Sequence, residues 1–298
     1  MNNLNALTVF TKVAESRSFT AAARRLRLTT SAVSKSMSRL EQELGVRLFQ
    51  RSTRMVSLTN DGESFFQRCR HILAEIEDAE NALTLTKAEP RGKLRVQTPV
   101  VIGRRVVVPN LVRFTEQHPG LVIDVELSDR VTDLAFEGID VVIRLGQIGD
   151  VRLVARRLCA LTFAAYASPA YLDRYGEPDT PDDLDHHRCL AYLFPMTGDY
   201  REWHFSNNGH AFIKKVSGKL NMNDADSLLE AAEAGAGITM MSNLTAADAL
   251  RAGRLKQILT PYVAAGPEVY AVYLPGRYLS QKIRVFIDFL AEVLGEFE

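Results

Sequence analysis

The chain has 298 residues, sets 36 Lys+Arg against 36 Asp+Glu, and is 46% hydrophobic, enough for a sizeable core and more than one domain. No apolar stretch approaches the ~18 residues of a membrane-spanning helix, and the N-terminus MNNLNALTVF has no charged segment ahead of an apolar run. Cys69, Cys159 and Cys189 lack metal-ligand spacing, so the expectation is a cytoplasmic protein with each thiol buried as a small apolar group, a redox pair of Cys159 and Cys189 being the sharper alternative.

Ser18–Leu48 is the most informative stretch. Phe19, Ala22, Ala23 and Leu26 make an apolar edge on one short helix, and Leu28 follows in a turn. Val33, Met37, Leu40 and Leu44 recur at steps of four, three and four, which is one face of a second helix. With that face inward, Ser31, Ser34, Lys35, Ser38 and Gln42 point outward, and Thr30 stands at the helix start. Short hydroxyls and one lysine suit a helix lying in the DNA major groove, where bulky side chains would hold the backbone off the base edges. Thr20 and Thr29 are the expected N-caps of the two helices.

Next comes Phe49-Gln50-Arg51-Ser52-Thr53-Arg54-Met55-Val56-Ser57-Leu58, which ends in strand-like alternation. It reads as a β-hairpin wing whose Arg51, Thr53 and Arg54 reach phosphate or the minor groove. Charge agrees: Met1–Leu58 holds ten Lys+Arg and three acids, a net +7, so the rest of the neutral chain carries −7. A basic head on an acidic remainder is expected when only the head meets phosphate.

From Thr59 the pattern changes to a heptad seam of Phe65, Cys69, Ile72, Ile76, Ala79, Leu83 and Thr86, with Thr59 or Asn60 as cap and Glu89-Pro90-Arg91-Gly92 as stop. Two such helices pairing would set two recognition helices about one DNA turn, roughly 34 Å, or a multiple of it apart. The plainer alternative is a helix packing on its own domain.

Beyond residue 90, Leu94–Val96, Leu121–Leu127 and Ile139–Ile143 are β-rich runs separated by helical patterns such as Arg105–Gln117, a βαβ order that predicts a parallel sheet. A second series follows: strands at Phe163–Ala167, Cys189–Leu193, Trp203–Phe205, Val216–Asn221 and Ile238–Met241, with helices near Pro169–Tyr175 and Ala225–Ala234. A strand at Glu268–Leu274 and an amphipathic helix at Ser280–Phe297 close the chain. Two α/β lobes around a cleft are the economical reading.

Enzyme signatures are missing: there is no G-x-S-x-G, H-E-x-x-H or P-loop, and Gly235-Ala236-Gly237 follows a helix, the reverse of a dinucleotide fingerprint. His186-His187 follows an acidic turn and reads as solvated surface. No cofactor or metal is expected. The cleft candidates are these. Thr98 ends a strand before a helix, so its hydroxyl and the amides of Val100 and Val101 could hold an anion. Arg144 ends a strand and can clamp a carboxylate or form an interlobe ion pair. Asn223 and Asp224 precede a helix as caps, or line the opposite lip. Trp203 suits the second-lobe core, yet with Phe194 it is also a candidate to stack on a ring-bearing ligand.

Residues 1–58 resemble the winged helix-turn-helix of LysR-type transcriptional regulators, through Phe19-Thr20-Ala21-Ala22-Ala23, Ser31-Ala32-Val33-Ser34, Leu40-Glu41, Leu44-Gly45, Leu48-Phe49, Arg51 and Leu58-Thr59. The rest is similar to that family's periplasmic-binding-protein-like effector domain, through Ile139-Asp140-Val141-Val142-Ile143-Arg144, Ala167-Ser168-Pro169-Ala170-Tyr171-Leu172, Asn223-Asp224 and Gly235-Ala236-Gly237-Ile238. The resemblance implies an α+β multidomain chain. Its parts would be a winged helix-turn-helix over 1–58, a linker and dimerisation helix over 59–89, and a two-lobed effector domain over 90–298. Lobe I would take about 91–161 plus 266–298 and lobe II about 162–265, with crossings near Leu161 and near Val263. It also implies a ligand-responsive regulator that binds operator double-stranded DNA and a small-molecule effector, for which the candidate residues Thr98 and Arg144 suggest a carboxylate or aromatic acid. Self-association as homodimer or homotetramer is expected, with RNA polymerase as a further partner. Two departures stand out: Thr30-Ser31 replaces the family's common Gln-Pro at the recognition helix, and Thr98 is the only hydroxyl near the first effector-domain loop. An architectural DNA-coating protein without ligand, or a binding protein or enzyme with an appended head, are the competing classes.

Overall fold

Three helices build the head: α1 (Asn3–Ser16), α2 (Phe19–Leu26) and α3 (Thr30–Leu44). The computed structural model describes residues 3–51, 56–83, 89–130, 133–194, 197–275 and 280–295. Phe10 is fully buried at the centre of the head, with ring centroids 5.4 Å from Phe49 and 5.2 Å from Phe65. Around it lie Val13, Ala22, Ala23, Val33, Met37, Leu48 and Cys69. The cap of α2 is Ser18 rather than Thr20, since a cap must precede the helix with extended backbone. Ser18 has φ −157° and its side chain accepts the Ala21 N–H. Thr29 caps α3 through the Ala32 N–H at 3.2 Å.

Strands β1 (Phe49–Arg51) and β2 (Val56–Leu58) pair antiparallel as the wing. Helix α4 (Asn60–Leu83) follows, with the Thr59 hydroxyl accepting the Gly62 N–H at 2.9 Å. Gly62 lies so close to Leu48 that a Cβ there would sit 2.0 Å from the Leu48 carbonyl oxygen. The heptad seam therefore has two fates. Cys69 is fully buried in the head core and Phe65 packs against it, whereas Ile72 is 43% exposed. The first part of the seam serves the helix's own domain. Thr86 lies outside the described residues, as do the side chains of Ala79 and Leu83.

The chain then enters a second compact unit of Arg91–Arg130, Val141–Pro275 and Lys282–Glu298. Strand β3 (Gly92–Thr98) leads into helix α5 (Val100–Ile102), a π-turn (Gly103–Val107) and α6 (Val108–Gln117), an almost continuous rod that starts earlier than the expected Arg105. After β4 (Leu121–Leu127) comes α7 (Leu134–Glu137), which packs with α4 in the first unit. Strands β5 (Val141–Leu145) and β6 (Val154–Ala160) complete the outward pass.

The second lobe runs β7 (Phe163–Ala167), α8 (Pro169–Tyr175), β8 (Cys189–Tyr192), β9 (Trp203–Asn207), β10 (His210–Lys214), β11 (Leu220–Met222) and α9 (Ala225–Glu233). It continues through β12 (Ile238–Ser242), α10 (Asn243–Arg251) and β13 (Lys256–Ile258) before β14 (Glu268–Tyr273) and α11 (Gln281–Gly295) return to the first lobe. The sheet orders are β4-β3-β5-β14-β6 and β11-β8-β12-β7-β13. β3 is parallel to β4 and β5, as the βαβ pattern predicts, but β14 is antiparallel to β5 and β6 because it arrives from the other lobe. Both lobe sheets are thus mixed. The two crossings touch: the Leu161 N–H donates to the Pro267 carbonyl at 3.0 Å.

Candidate nucleic-acid interface and effector cleft

On α3, Thr30, Ser31, Lys35, Ser38 and Gln42 are exposed and Ser34 is half-buried, while Val33, Met37 and Leu40 are buried on the opposite side. Leu44, expected on the inward face, is 43% exposed: α3 outruns the head core in its last turn. Lys35 makes no ion pair among the described residues, whereas Arg39 is tied to Glu43 at 2.8 Å. Arg24, Arg25, Arg27 and Arg47 add exposed cations to the head. Arg51 ends β1, its backbone opposite Val56. Thr53 and Arg54 lie outside the described residues, as does the Arg51 side chain.

In the second unit the sequence-derived cleft residues scatter in role. Thr98 is fully buried and its hydroxyl donates to the Pro99 carbonyl at 3.3 Å. Val100 and Val101 are half-buried, and the Val100 N–H is already occupied by Oδ1 of Asp129 at 3.1 Å. Arg144 is half-buried on β5 and its charge helps Arg152 hold Asp150 down at about 2. Asp224 caps α9: one oxygen accepts the Ser227 N–H at 2.8 Å and its hydroxyl at 2.6 Å, which keeps the carboxyl below its usual range. Asn223 is exposed beside it. Trp203 is 1% exposed within a second-lobe core that includes Tyr171 and Phe205, the core role rather than the stacking one. Phe194 is exposed, its ring 5.3 Å from that of Tyr192.

Two further clusters stand out, and the first joins the lobes. Arg104 and Arg105, presented by the π-turn, pair with Asp226 of α9 at 2.9 and 2.8 Å, and Arg105 also reaches Asp248 of α10 at 3.5 Å. The Arg201 guanidinium lies over three rings, 4.8 Å from the Tyr192 centroid, 4.9 Å from Phe163 and 5.5 Å from Phe194. Burial pushes its pKa down, and its Nε is buried without a hydrogen-bond partner. Burial likewise raises the Tyr192 phenol, and the negative charge of Asp129 adds to the rise.

Residues 4–63 match the family model for bacterial regulatory helix-turn-helix proteins of the lysR family, and residues 87–295 match the LysR substrate binding domain. The chain belongs to the LysR family of transcriptional regulators. It is 34% identical to an HTH-type transcriptional repressor of Pseudomonas aeruginosa over 99% of this chain and 93% of the relative. It is 33% identical to the HTH-type transcriptional activator AaeR of Escherichia coli over 99% and 95%. Among solved structures, the LysR-type regulator CrgA of Neisseria meningitidis aligns with TM-score 0.63 and 31% identity over 98% of each chain.

This LysR-type regulator thus joins a helix-turn-helix DNA-binding domain to a two-lobed effector-binding domain. Asp129, Tyr192 and Arg201 are polar groups of this unit that the sequence left unmarked. For Asp129 a signal existed, since it lies just past the carboxyl end of β4, where ligands of parallel α/β sheets gather. Arg201 sits in an irregular segment with no periodicity to mark it. Among the described residues no helix is long and apolar enough to cross a membrane.

Proposed function

We propose that this regulator changes operator occupancy when a small carboxylate enters the cleft between its lobes. In this reading residues 1–58 read DNA, 59–89 pair copies of the chain, and 90–298 bind the effector. Thr30, Ser31, Ser34, Lys35 and Ser38 enter the major groove, and the wing residues Arg51, Thr53 and Arg54 reach phosphate or the minor groove. The observation that carries the DNA-binding half is the polar outer face of α3, where Lys35, without an ion pair among the described residues, stands among the small hydroxyls of Ser31, Ser34 and Ser38. A helix so furnished approaches base edges closely, and the surrounding arginines supply the phosphate term.

Thr98, Val100, Val101, Arg144, Phe194, Asn223 and Asp224 form the surroundings of the effector, with Trp203 as support from the second-lobe core. The chain acts as a homodimer or homotetramer in the cytoplasm, where its operator is, meets RNA polymerase from the bound state, and catalyses no reaction. A ligand shifts the DNA-binding equilibrium only through its differential affinity for two arrangements. The test is footprinting of the purified protein on its own upstream region, with and without a panel of small carboxylates at fixed salt. A protected site whose extent or affinity changes with one carboxylate is the expected result. Uniform coating of any duplex would instead make the protein an architectural one.

A further inference from the structure

The anion-recognising groups of the cleft already face an anion, and it belongs to the chain itself. Asp129 takes the Val100 N–H with Oδ1 at 3.1 Å, and its charge acts on both the Tyr192 phenol and Arg201. Val100 and Asp129 belong to the first lobe, Tyr192 and Arg201 to the second. One side chain, held on the first lobe, therefore acts electrostatically on groups of the second. Asp129 is exposed, and an exposed hydrogen-bonded carboxylate is held weakly enough to be exchanged. Arg201 is the opposite case: its guanidinium is fixed over three rings, forms no ion pair among the described residues, and keeps a buried Nε–H without an acceptor. A buried donor left unsatisfied is costly, and a planar guanidinium is best satisfied by a carboxylate.

We propose that Asp129 is a tethered stand-in for the effector's carboxylate, displaced from the Val100 N–H when a free carboxylate takes Arg201. The inference rests on the cleft being the effector site. It adds the anchoring residue, the ligand charge and the device that holds the empty state.

The test uses the full-length protein with benzoate as probe and benzamide as its uncharged counterpart. The sole tryptophan, Trp203, two residues from Arg201 and buried, is the fluorescent reporter. Asp129→Ala should bind benzoate at least about tenfold more tightly than the native chain, since a charge-assisted competitor has been removed. Asp129→Asn should fall between them, and benzamide should show no such gain. Adding Arg201→Met to Asp129→Ala should abolish benzoate binding, with Arg201→Lys, checked by circular dichroism, as the variant that keeps charge but loses the fork. Equal benzoate affinity with and without Asp129, still lost in Arg201→Met, overturns the competitor while leaving the cleft as the anion site. An equal gain for benzamide overturns it too, because space rather than charge was freed. No benzoate binding in Asp129→Ala, or binding indifferent to Arg201, removes both the competitor and the cleft.

Discussion

One carboxylate oxygen, Oε1 of Glu41 on α3, accepts the backbone N–H of Leu48 at 2.8 Å and also that of Phe49 at 3.1 Å. Leu48 and Phe49 are buried core residues, and Phe49 opens the wing, so this contact fixes where the wing leaves the recognition helix. Glu41→Ala leaves two partly buried amides without an acceptor. The expected cost is about 2 kcal/mol of head stability, with Glu41→Gln recovering roughly half. Urea unfolding followed by circular dichroism measures it; an unchanged midpoint for Glu41→Ala would show that water replaces the carboxylate at no cost.

Gly62→Ala is a contest between two effects of opposite sign. Alanine inside a helix gains about 1 kcal/mol over glycine. Here, however, the new Cβ would lie 2.0 Å from the Leu48 carbonyl oxygen and 2.9 Å from its carbon, both backbone atoms that cannot rotate away. The clash wins, and the variant should lose about 2 kcal/mol or more in the same assay. The Thr59 N–H, bonded to that carbonyl at 3.0 Å, is where the displacement would be felt first. Faster amide exchange at Thr59 is the local readout.

For the DNA-facing helix, Lys35→Ala and Ser38→Ala alter exposed side chains and should leave melting within about 0.5 kcal/mol of the native protein. Operator binding should weaken in both. If Lys35 touches phosphate, its removal lowers the salt slope by about one unit and weakens all sequences alike; if it touches a base, discrimination at one position relaxes instead. Footprinting across a salt series separates the two. Unchanged operator binding in both variants would move recognition off this face.

The alkaline limb of head stability should carry the signature of Cys69. Burial pushes this thiol up from 9.0 to about 11, and it is fully buried. A raised folded pKa contributes stability that is complete below the unfolded value and lost as pH climbs toward the folded one. The loss therefore runs between about pH 9 and 11 and amounts to about 3 kcal/mol at most. Cys69→Ala should be less stable at pH 7 yet flatter across that window. Cys189, pushed to about 11 mainly by burial, should resist thiol reagents at pH 8 in the folded chain, which argues against a redox partnership with Cys159.

The legible parts of this fold were those with a strong period or a clear stop. The face of α3, the wing and the strands from β3 to β5 follow from apolar spacing. β6 was missed because Val154, Ala155, Arg156 and Arg157 are all exposed and mimic a loop. α10 was missed because it starts directly at the end of β12, where Ser242 caps it by accepting the Thr245 N–H at 3.2 Å without any intervening breaker. The cleft defeated sequence reasoning for a different reason. Asp129, Tyr192 and Arg201 come from three segments on two lobes, and no periodicity along the chain links them. Apolar spacing also cannot say which partner a seam meets, and on α4 the answer changes within one turn.

That change sets the last prediction. Cys69 is buried in its own head, while Ile72, the next position of the same seam, is 43% exposed and Ile76 is half-buried. If two copies pair through α4, the shared surface begins at Ile72, since Phe65 and Cys69 are already covered. Ile72→Lys should then place a charge against the partner helix and weaken association by at least about tenfold. Head unfolding measured by circular dichroism should stay near native, because Ile72 adds little to that core. Cys69→Lys, in contrast, should unfold the head outright. Sedimentation velocity across a concentration series reads the association, and footprinting should show operator affinity falling with it, because a lone head holds half the contacts. An Ile72→Lys protein that sediments as the native oligomer would place the pairing surface elsewhere on the chain and leave α4 as a spacer between head and effector domain.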